Sequence, residues 1–364
     1  MASMSCVVSV DLLSFAINPS YLNTLVTTNA PSSAISLLAY NQDFASVIGQ
    51  NATARQLYDL DWQAFHEAGV YNKDTHKLYI TSNWAKDPSN PINITIIDIA
   101  DNYSISSTRY AGIAEPNGAT SYFPPGTQTN CSTPPRILFA DEGDFSHYSS
   151  LISLDPVTGS TSTVMNNFLG RNFTSLNDVR QHPITGDLWF TDADYGYFQA
   201  FRPAPTIPKQ VYRFSPSTGE IAVVATDFHQ CNGIEFSPDL KTLYVSDTGA
   251  AHFDVNMTRP ATIYAFTIDE HHKAVRERRV FAYADVGLPD GVHTDTKGNV
   301  WASCGDGVHI WNPAGILLGK IWIGRESNNF AFLPGAVLVF SNAQLWLVEN
   351  VEAVGREVGK DFGK

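Results

Sequence analysis

The sequence is poor in charge, and most of the charge that it has is negative. Asp, Glu, Lys and Arg make up 16% of the 364 residues, and the formal net charge is −13. Nucleic acids and anionic membranes are bound by basic faces, so this balance argues against both as partners. It is compatible with cation binding and with a secreted, soluble protein.

Cysteine is also scarce. The four cysteines permit three pairings and select none; they are Cys6, Cys131, Cys231 and Cys304. We expect Cys231 and Cys304 to be buried thiols in strands, whereas Cys6 and Cys131 lie in irregular segments where a bridge could form. No Cys or His pair has the spacing of zinc ligands, which excludes a conventional zinc site.

Linkers and long hydrophobic runs are missing as well. No Pro/Gly/Ser-rich stretch or charge block divides the chain, so residues 5–364 are predicted to form one domain. Residues 1–4 read as a vector-derived scar in front of a trimmed mature chain, which indicates a secreted protein. The apolar stretch 7–16 contains Asp11 and is too short to span a bilayer, so we expect an N-terminal strand or closing segment there. Six glycosylation sequons agree with secretion; they begin at Asn51, Asn93, Asn102, Asn130, Asn172 and Asn256.

Short β-rich segments are abundant. Helical periodicity is weak and is confined to residues 34–45 and 66–68, whereas runs such as RILFAD from Arg136 and TLYVSD from Thr242 are short, apolar and bounded by turns. The 21 Phe, 15 Tyr and 7 Trp suit such strands and a sizeable core. The chain is therefore predicted to be all-β.

One oxygen-bearing residue recurs in front of six of these strands, at intervals of about 40 to 60 residues. The six lead residues are Glu67, Asn117, Asn177, Asn232, Asp290 and Asn329. A repeat of this length, followed by a turn and a second β-rich run, is typical of propeller blades. A two-sheet sandwich is the alternative, and the repeat count favours a six-bladed β-propeller.

The predicted fold brings the lead residues together. Equivalent positions of different blades meet at the central channel although they are far apart in sequence. Six oxygen ligands, two of them anionic, predict a site for a hard divalent cation, and Ca²⁺ tolerates such an irregular set. The alternative is that Asn and Asp before Gly only form turns.

Several motifs resemble a known family. SLNDV followed by GDLWFTD, CNGIEFSPD with LYVSDTG, and PDGVHTDTKGNVWASCGDGVHIWNP are similar to the gluconolactonase and senescence marker protein superfamily. LGRNFTSLNDV with DYGYFQAFRPAP resembles its fungal lactonohydrolase branch, which includes D-pantonolactone hydrolases. The resemblance implies a six-bladed propeller with one Ca²⁺ at the channel mouth. It implies Glu67, Asn232 and Asp290 as metal ligands, with Asn177 as a further ligand or a catalytic substrate contact.

The implied chemistry is hydrolysis of a lactone. A bound cation stabilises the oxyanion that forms from the carbonyl and acidifies the attacking water. Asp290 is the first candidate for general base, although it could be a ligand only. His66 is a second catalytic candidate, but strand alternation would turn it, like His293, away from the channel. Asn117 and Asn329 are predicted to contact substrate oxygens.

Other residues bear on the substrate. Ser175 stands where sugar lactonases of the family often have an arginine, which puts an aldonolactone in doubt. Arg171 could contact an anion near the mouth, although a surface or interblade salt bridge is the favoured alternative. The aromatic loop with Tyr195, Tyr197, Phe198 and Phe201 is either core or a lid over the site, and a lid would favour a bulky, apolar polyketide- or terpenoid-like ligand.

Two other functions remain open on the same scaffold. One is a fungal pericyclase, such as a hetero-Diels-Alderase, which needs a shaped cavity but no activated water. The other is a calcium- or ligand-binding propeller without turnover. Chelation of the cation and replacement of Asp290 would separate these from a lactonase.

Overall fold

The computed structural model describes residues 7–29, 35–87, 89–127 and 135–358. Its main feature is six sheets of four or more strands, in which every pair of neighbouring strands is antiparallel except one at the N-terminus. The predicted six-bladed β-propeller is confirmed. Residues 1–4, Cys6, Asn130 and Cys131 lie outside the described residues.

The N-terminal segment contributes strands to two sheets. Its elements are β1 (Val7–Ser9), α1 (Leu12–Ile17), α2 (Tyr21–Asn29), β2 (Ser36–Ala39), α3 (Phe44–Ile48) and β3 (Thr53–Asp59). Helix α1 begins where Asp11 accepts backbone N–H bonds from Leu13 and Ser14 as its N-cap. The expectation of a strand over 7–16 is therefore correct only for β1. The helices predicted at residues 34–45 and 66–68 are also wrong, except that residues 44–45 begin α3.

The blades then follow in chain order, each from the channel outward. Blade 1 has β4 (Glu67–Asn72), β5 (Lys77–Thr81), β6 (Ile94–Asp98) and β7 (Ser104–Thr108). Blade 2 has β8 (Pro116–Tyr122), β9 (Arg136–Asp141), β10 (Ser150–Leu154) and β11 (Thr161–Met165). The hairpin of β12 (Asn167–Phe168) and β13 (Arg171–Asn172) leads to blade 3. Blade 3 has β14 (Ser175–Gln181), β15 (Leu188–Ala193), the short helix α4 (Tyr195–Phe198), β16 (Gln210–Phe214) and β17 (Ile221–Ala225).

The second half repeats this order. Blade 4 has β18 (Cys231–Phe236), β19 (Thr242–Asp247), a hairpin of β20 (Ala251–His252) and β21 (Asp254–Val255), then β22 (Thr262–Ile268) and β23 (Val275–Tyr283). Blade 5 has β24 (Val292–Thr294), β25 (Val300–Cys304), β26 (Gly307–Trp311) and β27 (Leu317–Trp322). Blade 6 has β28 (Asn329–Leu333), β29 (Ala336–Ser341) and β30 (Gln344–Glu349).

The ring is closed by strands from the N-terminus. Strand β3 pairs with β30 as the outer strand of blade 6, and β2 followed by β1 extends blade 5 beyond β27. Apolar side chains fill the spaces between blades, as where Trp189 of blade 3 lies 5.7 Å from Phe236 of blade 4, centroid to centroid. Cys231 and Cys304 are buried free thiols, as predicted. None of the helices within the described ranges is long and apolar enough to cross a membrane.

Glycines that directly follow three of the lead residues allow neighbouring innermost strands to approach closely. A Cβ on Gly118 would lie 2.6 Å from the carbonyl oxygen of Asn177, and one on Gly233 would lie 2.6 Å from that of Asp290. A Cβ on Gly291 would meet the side chain of Asn329. Each glycine therefore contacts the lead residue of the next blade, and none of the three has a positive φ. They serve close packing and not turns.

Replacement of Gly233 by Ala is expected to destabilise the protein by about 1–3 kcal/mol, because the new methyl group overlaps a backbone carbonyl that cannot rotate away. Urea unfolding measures this loss. An unchanged midpoint with an unchanged m-value would contradict the close approach between blades 4 and 5.

In blades 2, 3 and 4, an Asp near the end of the second strand binds the backbone at the start of the innermost strand. Asp141 accepts N–H bonds from Ala114 and Glu115 at 3.0 and 2.7 Å. The equivalent Asp192 binds the N–H groups of Thr174 and Ser175, and Asp247 binds those of His229 and Gln230. In each case the lead asparagine follows two residues later. The repeated sequence thus repeats the same local anchor, which places Asn117, Asn177 and Asn232 equivalently.

Candidate functional site

Lead residues from five blades line one cavity of about 250 Å³ at one end of the channel, and a neighbour of the sixth lead residue completes it. The predicted site residues in its wall are His66, Glu67, Asn117, Asn177, Tyr195, Asn232 and Asp290. Phe198, predicted as part of a possible lid, also lines it. Sequence reasoning missed seven others: Asn83, Gln199, Thr248, Ala251, Leu288, Glu326 and Asn328. The structure therefore brings together most of the predicted site.

Amide oxygens face this cavity without hydrogen-bond donors. The Nδ2 group of Asn117 donates to Glu142 and that of Asn232 donates to the Tyr195 hydroxyl, both at 2.7 Å. Within the described part of the chain, the buried Oδ1 atoms of both residues, and of Asn177 and Asn328, have no hydrogen-bond partner. Buried acceptors are rarely left unpaired, so these four oxygens are available to bind water or to act as ligands of a cation.

Two carboxyls complete the set. Burial raises the pKa of Glu67, and the charges of Asp290 and Asp178 raise it further. Burial likewise raises the pKa of Asp290, with a contribution from the charge of Glu326. The two groups lie within hydrogen-bonding reach of each other, so ionising both is costly unless a cation lies between them.

The donors are hard oxygens only. The described residues contain no group of three or more His, Cys, Asp or Glu side chains that could hold a metal ion. A cation here would therefore rest on Glu67, Asp290 and the amide oxygens. Carboxylates and amide carbonyls are ligands that Ca²⁺ accepts, so the residues present fit this ion.

Asn329 does not line the cavity, in contrast to the predicted substrate contact. Its Nδ2 group donates to Oε2 of Glu67 at 2.8 Å, and its Oδ1 accepts the N–H of Phe330. The preceding residue, Asn328, lines the cavity instead of Asn329. Because side chains alternate at the start of β28, a shift of one residue exchanges the two roles. Asn329 therefore orients the carboxylate of Glu67.

Arg171 is also away from the site. It is exposed on the β12–β13 hairpin, and its guanidinium donates to the carbonyl oxygen of Thr206. The predicted anion contact is therefore not supported, because this hairpin lies before the innermost strand of blade 3 and outside the cavity wall.

His66 lies in the wall, in contrast to the expectation that alternation would turn it away. It precedes β4, where Ala68 and Gly69 have φ values of 67° and 97° and the register with β5 shifts. This irregular backbone lets His66 and Glu67 face the same cavity. His293 lies deeper in the channel, 3.5 Å from Arg180 and 3.1 Å from Asn329.

Asn342 sets the tautomer of His66. Its Nδ2 group donates to Oε1 of Glu326 at 2.8 Å, which leaves its Oδ1 to accept from Nδ1 of His66 at 2.9 Å. Neutral His66 therefore carries its proton on Nδ1 and keeps Nε2 as acceptor. Loss of hydration lowers the pKa of His66 to about 4, while the hydrogen bond with Asn342 acts in the opposite direction.

The aromatic loop serves both as core and as site wall. The Tyr195 hydroxyl bonds to Asn232 and shares a short hydrogen bond with Thr248. Phe198 lines the cavity, whereas Phe201 is buried and packs on Trp84 with 4.8 Å between ring centroids. The loop therefore fits both alternatives: Phe201 belongs to the core, and Tyr195 and Phe198 form part of the site wall.

Glu142 and Ser175 support the wall from behind. The Ser175 hydroxyl donates to Glu142, which also receives the amide of Asn117. Burial raises the pKa of Glu142 to about 7. Ser175 therefore holds Asn117 in place through Glu142.

The opposite end of the channel is filled by the C-terminal segment. Residues 355–358 line a remnant of only about 20 Å³, together with Glu235 and His293. Arg356 donates to Glu235 at 2.7 Å, and the buried Arg180 pairs with Asp178 at 2.9 Å. The ion-pair network blocks passage there, so the cavity is approached from the lead-residue end.

Comparison with known proteins gives consistent matches. The family model of the SMP-30/Gluconolactonase/LRE-like region matches residues 105–338. The chain is 29% identical to lactonohydrolase oryL of Aspergillus oryzae over 337 residues, which cover 85% of this chain and 74% of that protein. It is 30% identical to a gluconolactonase of Zymomonas mobilis over 223 residues, or 58% of each chain.

A solved structure agrees on the fold. The gluconolactonase XC5397 of Xanthomonas campestris has a TM-score of 0.68 at 24% identity, with 86% of this chain and 94% of that chain covered. The names of the relatives are consistent with the predicted lactonase. Because the family model covers more than half of the sequence, the chain belongs to the SMP-30/gluconolactonase/LRE-like family.

Proposed function

We propose that the protein hydrolyses a lactone in the 250 Å³ cavity with the help of a bound Ca²⁺. The observation that carries this proposal is the donor set: four buried amide oxygens without partners and two carboxyls with raised pKa values around one space. Membership of a family whose curated relatives are named lactonohydrolase and gluconolactonase supports the reaction class.

Glu67, Asp290, Asn177 and Asn232 would hold the ion, with Asn117 and Asn328 as further oxygen donors. When bound, Ca²⁺ would polarise the lactone carbonyl and make water more acidic. Asn329 fixes one oxygen of Glu67, and Tyr195 fixes the amide of Asn232. These contacts hold the donors in place before the ion arrives, which lowers the cost of binding.

The side chains in the wall can supply the proton transfers. Hydrolysis adds water across the acyl C–O bond of the ring and yields a hydroxy acid, so one group must take a proton from water and return it to the leaving oxygen. His66 has Nε2 as acceptor, and the Glu326–Asn342 pair holds the ring. We assign His66 as this general acid–base and Asp290 as a ligand.

Calcium is expected to stabilise the folded protein, and the stabilisation should grow as the free Ca²⁺ concentration rises above Kd. At a free concentration one hundred times Kd the gain is about 2.7 kcal/mol, because the ion binds the folded ring and not the unfolded chain. Chelation should abolish lactone hydrolysis, and added Ca²⁺ should restore it. Thermal unfolding with and without chelator, and a pH-stat assay on five- and six-membered lactones, measure the two effects.

Asp101→Asn is the control, because Asp101 is an exposed carboxylate in the turn between β6 and β7. This variant should keep both the stabilisation by Ca²⁺ and the loss of hydrolysis on chelation. Hydrolysis that persists at full rate after complete chelation would contradict the cation's role, and a calcium response without hydrolysis of any lactone would contradict the reaction.

We also propose that the protein is secreted. Of the sequon asparagines within the described ranges, Asn51, Asn102, Asn172 and Asn256 are exposed, as glycan attachment requires. Asn93 differs because it lines a large cavity next to the site. A glycan there would occupy that cavity.

A further inference from the structure

A second and larger cavity adjoins the site cavity. It has a volume of about 920 Å³, and we call it the outer chamber. Asn83, Phe198, Gln199 and Ala251 line both spaces, so the two cavities lie side by side. A ring held at the lead residues would therefore have its substituents directed into the outer chamber or towards solvent.

One wall of the outer chamber is apolar and incompletely covered. Phe253 and Val255 belong to the β20–β21 hairpin, and their side chains are 66% and 78% exposed. The ring of Phe253 lies 5.8 Å from Tyr197 and 5.7 Å from Phe198, centroid to centroid. Trp62 and Trp84 add further aromatic surface to the same chamber. Exposed aromatic surface beside a cavity marks a site for apolar ligands.

We infer that the outer chamber binds an apolar substituent, such as an alkyl or aryl chain, carried by a lactone whose ring occupies the site cavity. This inference rests on the proposed function for the position of the ring. It adds the substrate class: a lactone with an extended hydrophobic chain rather than a small lactone whose substituents are all polar. The polar residues of the chamber, among them Gln63, Lys86 and Asn90, leave room for a polar group on that chain.

The test is a series of γ-lactones with no substituent, butyl and octyl at the ring carbon next to oxygen. For the wild-type protein with Ca²⁺, kcat/KM is expected to rise about fourfold for each buried methylene, which corresponds to ~0.8 kcal/mol. Phe253→Ser should reduce kcat/KM for the octyl lactone about tenfold more than for the unsubstituted one. Phe253 is largely exposed, so the variant should fold normally.

Phe145→Ser is the matched control, because Phe145 is 71% exposed and lies outside both cavities. It should leave the whole series unchanged. A flat series, or an equal effect of the two variants, would overturn the inference.

Calorimetric binding of the same lactones separates failure of this inference from failure of the proposed function. If no lactone is hydrolysed but the octyl compound binds more tightly than the unsubstituted one, and Phe253→Ser removes the difference, hydrolysis is wrong and the chamber assignment stands. If hydrolysis occurs without any dependence of rate or binding on chain length, hydrolysis stands and the chamber assignment falls.

Discussion

Asp290→Asn is expected to lower kcat/KM for lactone hydrolysis by about a thousandfold or more, and to remove the stabilisation by Ca²⁺. The substitution removes the negative charge of a carboxylate beside Glu67, in a wall that also contains Glu326 and the unpaired amide oxygens. Because Asn occupies nearly the same volume, packing is retained and the effect reports charge. Initial rates with saturating calcium, together with calcium-dependent thermal shifts, measure both losses.

His66→Gln is the companion variant that separates proton transfer from cation binding. It should lower the rate about 10²- to 10⁴-fold, as loss of a general acid–base does, and keep the calcium-dependent thermal shift. A near-normal rate for His66→Gln would contradict this role of His66 and would indicate that Asp290 is the general base. A pericyclic activity, by contrast, would survive Asp290→Asn in a protein that remains folded.

Arg180→Leu is expected to destabilise the protein by about 3–5 kcal/mol, because it leaves buried carboxylates without a partner. Arg180 is only 1% exposed, and its guanidinium donates to Asp178 at 2.9 Å and to the carbonyl oxygens of Ala119 and Val179. It also approaches Glu235 at 3.4 Å. Urea unfolding followed by tryptophan fluorescence measures the loss.

Arg55→Leu is the control for that measurement. Arg55 pairs with Glu349 at the same 3.4 Å, but the two side chains are 40% and 37% exposed. Solvent screens such a pair, so the expected loss is below about 1 kcal/mol. Equal losses in the two variants would show that the channel network contributes no more than a surface pair.

The sequence was sufficient for the ring and for the five lead residues that line the cavity. Glu67, Asn117, Asn177, Asn232 and Asp290 could be predicted because each occupies the same position of a repeated unit, and symmetry converts equal positions into spatial neighbours. The sixth position was misassigned by one residue. Two asparagines stand in succession at 328 and 329, and no pattern distinguishes which of them faces inward.

The supporting contacts could not be predicted, since they join residues that no repeat relates. His66 and Asn342 are 276 positions apart, and Asn342 lies in a bend between β29 and β30 with a φ of 54°. The N-terminal helices were missed for a related reason: α1 is six residues long and has no buried residues. A short helix without an apolar stripe gives little periodic signal.

The closure of blade 6 has a consequence for the assembly of the site. Strand β3 precedes all six innermost strands in the sequence, whereas its partner β30 follows them, and Arg55 and Glu349 are 294 positions apart. Blade 6 stands between Glu67 of blade 1 and Asp290 of blade 5, and its Asn329 fixes Glu67. We therefore expect the cavity wall to be complete only once β3 has paired with β30, which makes the site depend on contacts between the paired blade strands that are furthest apart in the sequence.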